Sequence, residues 1–575
     1  CSPFLYSQIV KEKSWLVNTV RNNDFHILSL LEPLKSETYD SLYLKLRIAK
    51  RRAALWIALN DLADTWSLDV VIENLSKFAD KAINLSWHAS FLKELKKGKF
   101  PIQYDQDPDK VGFFILAMGK LGAFELNYSS DIDLICFFDD EVFPPEEFQN
   151  VRRIFINATK NMYRILNENG KDGYVFRTDL RLRPDPSVTP VCMGVDAAER
   201  YYASLGRTWE RAAFIKARVC AGDHSAGKKF LKNMEPFVWR KYLDYAAISD
   251  AHDIRLRIRD HFKTKIGDIT LPQHNMKLGR GGIRDIEFFT QTHQIIFGGR
   301  DKGLRSKGTI TSLWAIADKK WLPKALVKDL IENYRFHRTI EHRLQMINDA
   351  QTHELPNSDQ GFVRLAFLMG TEKDDLQKEL VTRLSKTNSA IEGFFEPQNT
   401  DQNIERSSFS KELEDLIENW GSFPALRTAR AMSIFERIKP VILEKINSTS
   451  RPQETLKAFG NFLSKLPAGI QIFSLFENNK QILDLLIDIL GTSGALSEYL
   501  VKNTDVLDSV IASEFWKIWP SRKFLSSELE VMLESEMDYE AKLDLMRRWC
   551  KEWQFRIGVH YLRSQISAKR AGTQY

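Results

Sequence analysis

The stretch "SSDIDLICFFDD" occupies residues 129–140 and places two aspartates, Asp131 and Asp133, one residue apart at the start of an apolar run. In a β-strand, residues i and i+2 point to the same face, so these carboxylates project together, with Cα atoms roughly 6.5–7 Å apart. Two like charges this close need a cation, and carboxylate pairs of this geometry hold Mg²⁺ where phosphoryl groups are transferred. The alternative interpretation is a pair of turn residues at a strand edge, because aspartate readily caps and turns.

Short apolar runs around these aspartates predict a small sheet. Val111–Met118, closed by Gly119, is typical of a buried strand that ends in a tight turn, and Leu134–Phe138 predicts a second strand. One helical face then repeats over residues 146–169, and residues 174–183 alternate as a further strand. The order strand, turn, strand, helix, strand predicts a small mixed sheet domain.

The segment "YVFRTDLRLRP" (174–184) divides its side chains between an apolar face and a charged one. Strand alternation places Arg177, Asp179, Arg181 and Arg183 on the charged face. A third carboxylate there could complete a metal site or deprotonate a nucleophile, and the arginines could bind phosphate oxygens. The alternative is an edge strand with a solvated face, but the two strands taken together favour a nucleotidyl-transfer site.

Length and composition limit the possible classes of protein. The 575 residues suggest three or four domains. No apolar stretch approaches the roughly 18 residues that span a bilayer, so no membrane partner is expected. The 82 basic and 76 acidic residues nearly balance, which gives only a weak indication of a polyanionic partner. Scattered cysteines without a CxxC pair support neither a disulfide frame nor a zinc site, and they fit a reducing cytoplasm: Cys1, Cys136, Cys192, Cys220 and Cys550.

Helical periodicity covers most of the remaining chain. It is present over residues 1–95, returns from about Asp285 and persists to the end. Polar segments at 396–410 and 447–455 interrupt it and predict domain boundaries. The fold class expected is therefore α+β and predominantly helical, with a sheet domain embedded in helical domains.

Residues 118–134, "MGKLGAFELNYSSDIDL", resemble the signature of the polymerase-beta-type nucleotidyltransferases. In that signature an apolar residue and a glycine, here Gly119, lead to a strand with alternating aspartates. Lys120 stands where many members have serine or glycine. Ser129 and Ser130, beside the aspartates, are expected to take over phosphate contacts.

A closer resemblance extends over most of the chain. The family is that of the bifunctional glutamine synthetase adenylyltransferase/adenylyl-removing enzymes. The blocks that carry the resemblance occur in the family's order and spacing: "GKLGAFELNYSSDIDLICF", "GYVFRTDLRLRPDPSVTP", "WERAAFIKARVCAGD", "KLGRGGIRDIEF" and "EHRLQMINDAQTHELP".

Two catalytic units are typical of this family, and the resemblance implies which one is present here. The N-terminal unit removes AMP from a tyrosine of glutamine synthetase by phosphorolysis, and the C-terminal unit adds AMP from ATP. Residues 456–512 resemble the family's linker and residues 538–575 the opening of its second unit. The sequence also starts at Cys1, so we expect a fragment that removes AMP but does not add it.

The resemblance implies five regions along the chain. They are an N-terminal helical region, an adenylyl-removing nucleotidyltransferase domain, a helical domain resembling that of PII-uridylyltransferases, a helical linker, and the start of a second adenylyltransferase unit. Their expected bounds are 1–95, 96–270, 271–445, 446–530 and 531–575.

The family's functional residues transfer to this chain with unequal strength. Asp131, Asp133 and Asp179 align with its metal-binding carboxylates, and Mg²⁺ is the implied cofactor. The positions implied to bind nucleotide or phosphate are Gly119, Lys120, Ser129, Ser130, Arg177, Arg181, Arg183, Glu210, Lys216, Arg218, Arg280 and Arg284.

For two of these blocks, a purely structural role is an alternative to nucleotide or phosphate binding. Glu210, Lys216 and Arg218 also fit an amphipathic helix with solvated charges, whereas Arg280 and Arg284 also fit a structured turn before a helix. The chain departs from the family pattern at two places: it has an aspartate at 285 where glutamate is common, and "RPDPSVTP" in place of a glycine-rich run.

The expected function is deadenylylation of glutamine synthetase, with PII protein, phosphate, ADP and ATP as further partners. One alternative is a uridylyl- or RNA-directed nucleotidyltransferase, but the balanced charge shows no basic stripe for nucleic acid. Another is a regulatory scaffold without chemistry, which the three carboxylates disfavour. His252–Asp253 suggests a metal-dependent hydrolase only weakly, because no other histidine has matching ligand spacing.

Overall fold

The computed structural model of the chain resolves two compact units, one within residues 1–395 and one within residues 417–574. The residues that it describes are 1–21, 25–101, 106–239, 269–299, 301–319, 321–395, 417–427, 429–466, 472–473, 476, 480–503, 522–534, 539–562 and 566–574. His252–Asp253 lies outside these residues.

Four helices precede the sheet of the first unit. They are α1 (Pro3–Lys11), α2 (Lys13–Val20), α3 (Tyr39–Leu62) and α4 (Leu68–Leu95). Ser67 caps α4, because its side-chain oxygen accepts the Val70 N–H at 3.4 Å. These helices agree with the helical periodicity over residues 1–95.

Five short strands form one mixed sheet. They are β1 (Phe113–Ala117), β2 (Ile132–Phe138), β3 (Thr178–Asp179), β4 (Cys192–Gly194) and β5 (Arg218–Gly222). The order is β3-β2-β1-β5, and β4 also pairs with β2. β1 runs antiparallel to β2 and β5, whereas β3 and β4 run parallel to β2.

Six helices connect or follow these strands. They are α5 (Gly119–Gly122), α6 (Pro145–Asn167), α7 (Val195–Ser204), α8 (Thr208–Ile215), α9 (His224–Asn233) and α10 (Glu235–Val238). The mixed sheet, the first two strands and the helix expected at 146–169 are confirmed.

The long strand expected at 174–183 is wrong, since only Thr178–Asp179 is extended and paired. Backbone N–H groups before and after Thr178–Asp179 donate to nearby acceptors outside the sheet instead. The N–H groups of Val175 and Phe176 both donate to the Leu166 carbonyl at the end of α6. On the other side, Arg181 N–H donates to the Asp179 side chain at 2.8 Å.

The sheet packs on α4 and α6 through large aromatic side chains. Trp87 of α4 stacks on Phe113 of β1 with ring centroids 3.7 Å apart. Phe155 of α6 contacts Phe113 and Phe138, with centroid distances of 5.3 and 5.4 Å. All four rings are fully buried, so this core holds β1 and β2 in place.

Five more α-helices follow in the described residues of the first unit. They are α11 (Ile283–Phe297), α12 (Thr309–Asp318), α13 (Lys324–Asn348), α14 (Asp359–Leu368) and α15 (Lys373–Phe395). The 25-residue α13 is the central one, and many of its buried side chains are polar or charged.

The described residues of the second unit form helices and no strand. Its helices are α16 (Ala429–Asn447), α17 (Pro452–Lys465), α18 (Lys480–Thr492), α19 (Gly494–Lys502), α20 (Arg522–Glu534), α21 (Tyr539–Leu562) and α22 (Ala568–Gln574). The predominantly helical α+β fold is therefore confirmed. Within the described chain, every helix is too short or too polar to cross a membrane.

We predict that Phe155→Ala lowers the free energy of unfolding of the first unit by about 3–5 kcal/mol, because it empties a site lined by other aromatic rings. Phe367→Ala is the control, since Phe367 is 72% exposed and its removal should cost less than about 0.5 kcal/mol. Urea denaturation measures both. Equal stability of the two variants would contradict the core described above.

Candidate active site

Three aspartates lie at one edge of the sheet. Asp131 immediately precedes β2, Asp133 lies within it, and the parallel register of β2 and β3 places Asp133 opposite Asp179. Burial raises the pKa of Asp133 to about 6, and the nearby Asp179 and Asp131 carboxylates add to this increase. The structure thus brings together the three carboxylates that the sequence suggested as metal ligands.

The turn after β1 approaches Asp133 closely. Gly119 has a φ of +53°, which L side chains rarely adopt, and a Cβ there would lie 2.9 Å from Asp133 Oδ2. The Met118 N–H donates to the Asp133 backbone carbonyl at 2.9 Å. Glycine is therefore required for this close approach, and a phosphate contact by Gly119 stays a prediction.

Two arginines pair with the outer carboxylates. Arg177 Nε donates to Asp131 Oδ1 at 3.1 Å, and its Nη2 donates to the Ser129 carbonyl at 2.6 Å. Arg181 Nη2 donates to Asp179 Oδ2 at 2.6 Å, and the Arg181 side chain is 82% exposed. Both arginines therefore lie beside the aspartates, although neither lies within β3.

Arg183 is placed differently from the prediction. Its Nη1 donates to the Leu180 carbonyl at 2.6 Å, and its Nη2 donates to the carbonyls of Pro186 and Thr189 at 2.9 and 3.0 Å. The guanidinium therefore holds the "RPDPSVTP" loop. Arg183 does not lie on the predicted charged face because β3 ends at Asp179, and strand alternation ends with it.

Ser129 is committed to contacts within the protein. It is 4% exposed, its N–H donates to Gln345 Oε1 at 2.8 Å, and its Oγ donates to Asp349 Oδ1 at 2.7 Å. Ser129 therefore joins the start of β2 to the end of α13, in contrast to the expected phosphate contact. Ser130 is half-buried beside Asp131, and its phosphate contact stays a prediction.

Lys120 lies in a buried ion pair. Its Nζ is 3.3 and 3.2 Å from the two carboxylate oxygens of Glu341 on α13, and its side chain is only 12% exposed. Burial lowers the pKa of Lys120 to about 8, although Glu341 opposes this shift. The predicted phosphate-binding lysine thus has a protein carboxylate as its partner. Glu341 begins the quoted block "EHRLQMINDAQTHELP", but spacing alone gave no sign of this contact.

Lys216 is also buried, which excludes a solvated helix face. Its Nζ donates to Glu125 Oε2 at 2.8 Å and to Thr309 Oγ1 at 3.2 Å, and it lies 3.7 Å from Glu287 Oε1. Burial alone would raise the pKa of Glu287, but Lys216 and Arg284 bring it down to about 2. The sequence gave no role to either glutamate.

Glu210 and Arg218 have structural partners as well. Glu210 Oε2 accepts the Arg207 N–H at 2.7 Å in a capping box that begins α8, and Glu210 Oε1 accepts from the Tyr201 hydroxyl at 3.1 Å. Arg218 Nη2 donates to Asp80 Oδ1 at 2.7 Å. These contacts join α8 and β5 to their neighbours, and nucleotide binding by Glu210 or Arg218 stays a prediction.

The segment around α11 supplies cations on the aspartate side. Lys277 and Arg284 both act to lower the pKa of Asp133, against the effect of burial. Arg284 also lies 3.4 Å from Glu287, and Arg280 is half-buried. Lys277 was not among the predicted residues, although it opens the quoted block "KLGRGGIRDIEF".

The carboxylates fit Mg²⁺ by their chemistry, because it prefers oxygen ligands. Among the described residues, no hydrogen bond or ion pair reaches the Asp133 carboxylate, whereas Arg177 and Arg181 hold Asp131 and Asp179. With side chains placed in this way, the described chain contains no cluster of three or more His, Cys, Asp or Glu side chains arranged to hold a metal ion. A magnesium site at this edge is therefore a proposal.

A small mixed sheet with paired aspartates at its edge, set among helices, defines a predominantly helical α+β nucleotidyltransferase fold. Residues 2–233 match the family described as "Glutamate-ammonia ligase adenylyltransferase", and residues 253–398 match the family described as "GlnD PII-uridylyltransferase". The first match contains the whole sheet.

Comparison with curated relatives gives a more specific similarity than the two family matches. The chain is 38% identical over 553 residues to the bifunctional glutamine synthetase adenylyltransferase/adenylyl-removing enzyme of Rhizobium meliloti (strain 1021), covering 92% of this chain and 56% of that protein. It is 36% identical to the protein of the same name from Bartonella quintana (strain Toulouse), covering 99% and 60%. The corresponding Bradyrhizobium sp. protein is 35% identical, covering 100% and 61%.

Over 92–100% of its own length, the chain is thus similar to bifunctional glutamine synthetase adenylyltransferase/adenylyl-removing enzymes. It spans 56–61% of the length of these three relatives.

We predict that Lys216→Met lowers the free energy of unfolding by about 3–5 kcal/mol, because it leaves Glu125 and Glu287 buried without their lysine. Arg181→Ala removes an exposed side chain and should cost less than about 0.5 kcal/mol. Urea denaturation of both variants tests the difference. A Lys216→Met protein as stable as the wild type would argue against the buried ion pairs.

Proposed function

We propose that this chain removes AMP from an adenylylated tyrosine of glutamine synthetase by phosphorolysis and releases ADP. The observation that carries the proposal is the meeting of Asp131, Asp133 and Asp179 at one sheet edge. This edge lies within residues 2–233, the part that matches an adenylyltransferase family. The names of the curated relatives supply glutamine synthetase as the substrate.

In the proposed reaction an oxygen of inorganic phosphate attacks the phosphorus of the adenylyl group. The bond from that phosphorus to the tyrosine oxygen breaks, the tyrosine oxygen takes up a proton, and the new phosphorus–oxygen bond yields ADP. Asp131, Asp133 and Asp179 would hold Mg²⁺, which when bound neutralises charge that develops on the phosphoryl oxygens.

The side chains around the aspartates have distinct proposed tasks. Arg181 is exposed and ends beside Asp179, so it can orient phosphate by charge-assisted hydrogen bonds. Arg177 is bound to Asp131 and Ser129 and therefore fixes the start of β2. Lys277 and Arg284 add positive potential near Asp133, which favours the anionic reactants.

Uridylyl transfer is the second candidate, because residues 253–398 match a PII-uridylyltransferase family. The described part of that match contains helices and lies outside the sheet, so adenylyl chemistry has the stronger support. The same observation makes PII protein a proposed regulatory partner, with ATP and ADP as proposed nucleotide ligands. Release of labelled ADP from adenylylated glutamine synthetase with Mg²⁺ and phosphate tests the leading proposal, and release of UMP from uridylylated PII tests the second.

We predict that Asp133→Asn reduces ADP release by at least about 100-fold while the protein stays folded, because charge is lost and shape is kept. Asp139→Asn is a matched control, since Asp139 follows the opposite end of β2, where it lies near Lys229. ADP formation and circular dichroism are measured for both variants. Full activity of Asp133→Asn, or activity that survives chelation of Mg²⁺, would contradict the metal assignment.

We predict that Arg181→Ala raises the KM for phosphate about 10-fold and leaves the KM for adenylylated glutamine synthetase unchanged. The reason is that Arg181 lies beside Asp179 and is proposed to contact the attacking phosphate. Initial rates at varied phosphate and varied protein substrate separate the two constants. An unchanged phosphate KM with weaker binding of glutamine synthetase would place Arg181 on the partner surface instead.

A further inference from the structure

Six charged side chains are buried where the sheet region meets α11 and α13. Each is at most 12% exposed, and the three positive and three negative charges balance. They are Lys120, Lys216, Arg338, Glu125, Glu287 and Glu341, which we call the buried charge cluster.

Glu341 is the member of this cluster that faces Lys120. It is fully buried, with Lys120 Nζ at 3.2 Å, Arg338 Nε at 3.6 Å and His353 Nδ1 at 2.6 Å. Burial would raise the pKa of Glu341, but Lys120, His353 and Arg338 together hold it well below its usual value. Glu341 is therefore ionised and is the only ion-pair partner of Lys120 among the described residues.

Lys120 in turn lies on the short helix α5 that approaches Asp133. Its neighbour Gly119 has no room for a Cβ beside the Asp133 carboxylate. The Lys120 carbonyl accepts the Glu125 N–H at 2.8 Å, and the Gly119 carbonyl accepts the Ala123 N–H at 3.3 Å. The position of Lys120 therefore affects the backbone of Gly119, which lies against the Asp133 carboxylate.

We propose that Glu341 is a positioning residue, which holds Lys120 and thereby fixes the Gly119–Gly122 segment against the Asp133 carboxylate. Glu341 touches neither substrate nor metal in this scheme. Its catalytic consequence rests on the proposed function, whereas its effect on the Gly119–Gly122 segment does not.

A buried ion pair can also serve stability alone, so the test needs a control that breaks a comparable pair elsewhere on α13. Asp61 of α3 provides it: the carboxylate is 6% exposed and lies 2.8 Å from Arg343 Nη1. Asp61→Asn and Glu341→Gln both replace an acid by its amide. The first leaves Arg343 of α13 without its carboxylate partner, and the second does the same to Lys120. Only Glu341 contacts Lys120.

The experiment compares the wild type, Glu341→Gln and Asp61→Asn by hydrogen–deuterium exchange and by steady-state kinetics. We expect Glu341→Gln to accelerate exchange of the amides of residues 122–125 about 10-fold, since these amides bond within the segment that Lys120 anchors. We expect its kcat for ADP release to fall about 10- to 100-fold with the KM for phosphate unchanged. Asp61→Asn should lose comparable thermal stability and keep both properties near wild type.

Three results would overturn the proposal. They are unchanged exchange at residues 122–125 in Glu341→Gln, an equal loss of kcat in Asp61→Asn, and a loss confined to the phosphate KM, which would make Lys120 a phosphate ligand. If the wild type releases no ADP, the proposed function fails, but the exchange data still decide whether Glu341 positions the segment.

A second variant covers the case in which Glu341→Gln does not fold. Lys120→Met combined with Glu341→Gln removes both charges of the pair, so the cluster keeps two positive and two negative charges and neither partner is left as an uncompensated buried ion. The double variant should then fold and still exchange rapidly at residues 122–125. Wild-type protection in the folded double variant would show that the ion pair does not hold the segment.

Discussion

Burial of six charges between the sheet and helices α11 and α13 constrains the whole first unit. Each ion taken out of water costs several kcal/mol unless opposite charges and hydrogen bonds compensate it. The sheet region supplies two lysines and one glutamate, whereas α11 and α13 supply two glutamates and one arginine: Lys120, Lys216 and Glu125 against Glu287, Glu341 and Arg338. Neither group is neutral alone, so the sheet and the helices are stable in these positions only together.

The position of the carboxylates follows from this packing and from the neighbours of β2. β1 lines one side of β2, while β3 and β4 pair in succession along the other side. Because β3 pairs only with Ile132 and Asp133, it brings Asp179 to the start of β2 and no further. β4 then pairs with residues 136–138, so the rest of β2 stays apolar and buried. A long β2 between short neighbours thus confines the carboxylates to one end of the strand.

Local sequence patterns predicted the elements that local forces determine. The apolar runs and the helical face placed β1, β2 and α6 within two residues of their observed bounds. The prediction of a strand at 174–183 was wrong because N–H groups of this segment donate to the end of α6 and to the Asp179 side chain. The alternation of side chains in the sequence does not reveal these acceptors. The partner of Lys120 could not be predicted for another reason: Glu341 lies 221 residues further along the chain. A lysine in a phosphate-binding signature has the same pattern whether it meets a phosphate or a buried glutamate.

The lysine within the signature therefore has a physical requirement of its own. A serine or glycine at position 120 could follow Gly119 without any partner, but a lysine at 12% exposure needs a nearby carboxylate to stay charged. Glu341 meets that need from α13, which also contacts Ser129 through Gln345. Both ends of the chain between β1 and β2 are thereby fixed to one helix. Lys120, the residue that departs from the signature, is thus the one that joins the edge of the sheet to α13. The departure is therefore compatible with a site that keeps all three aspartates.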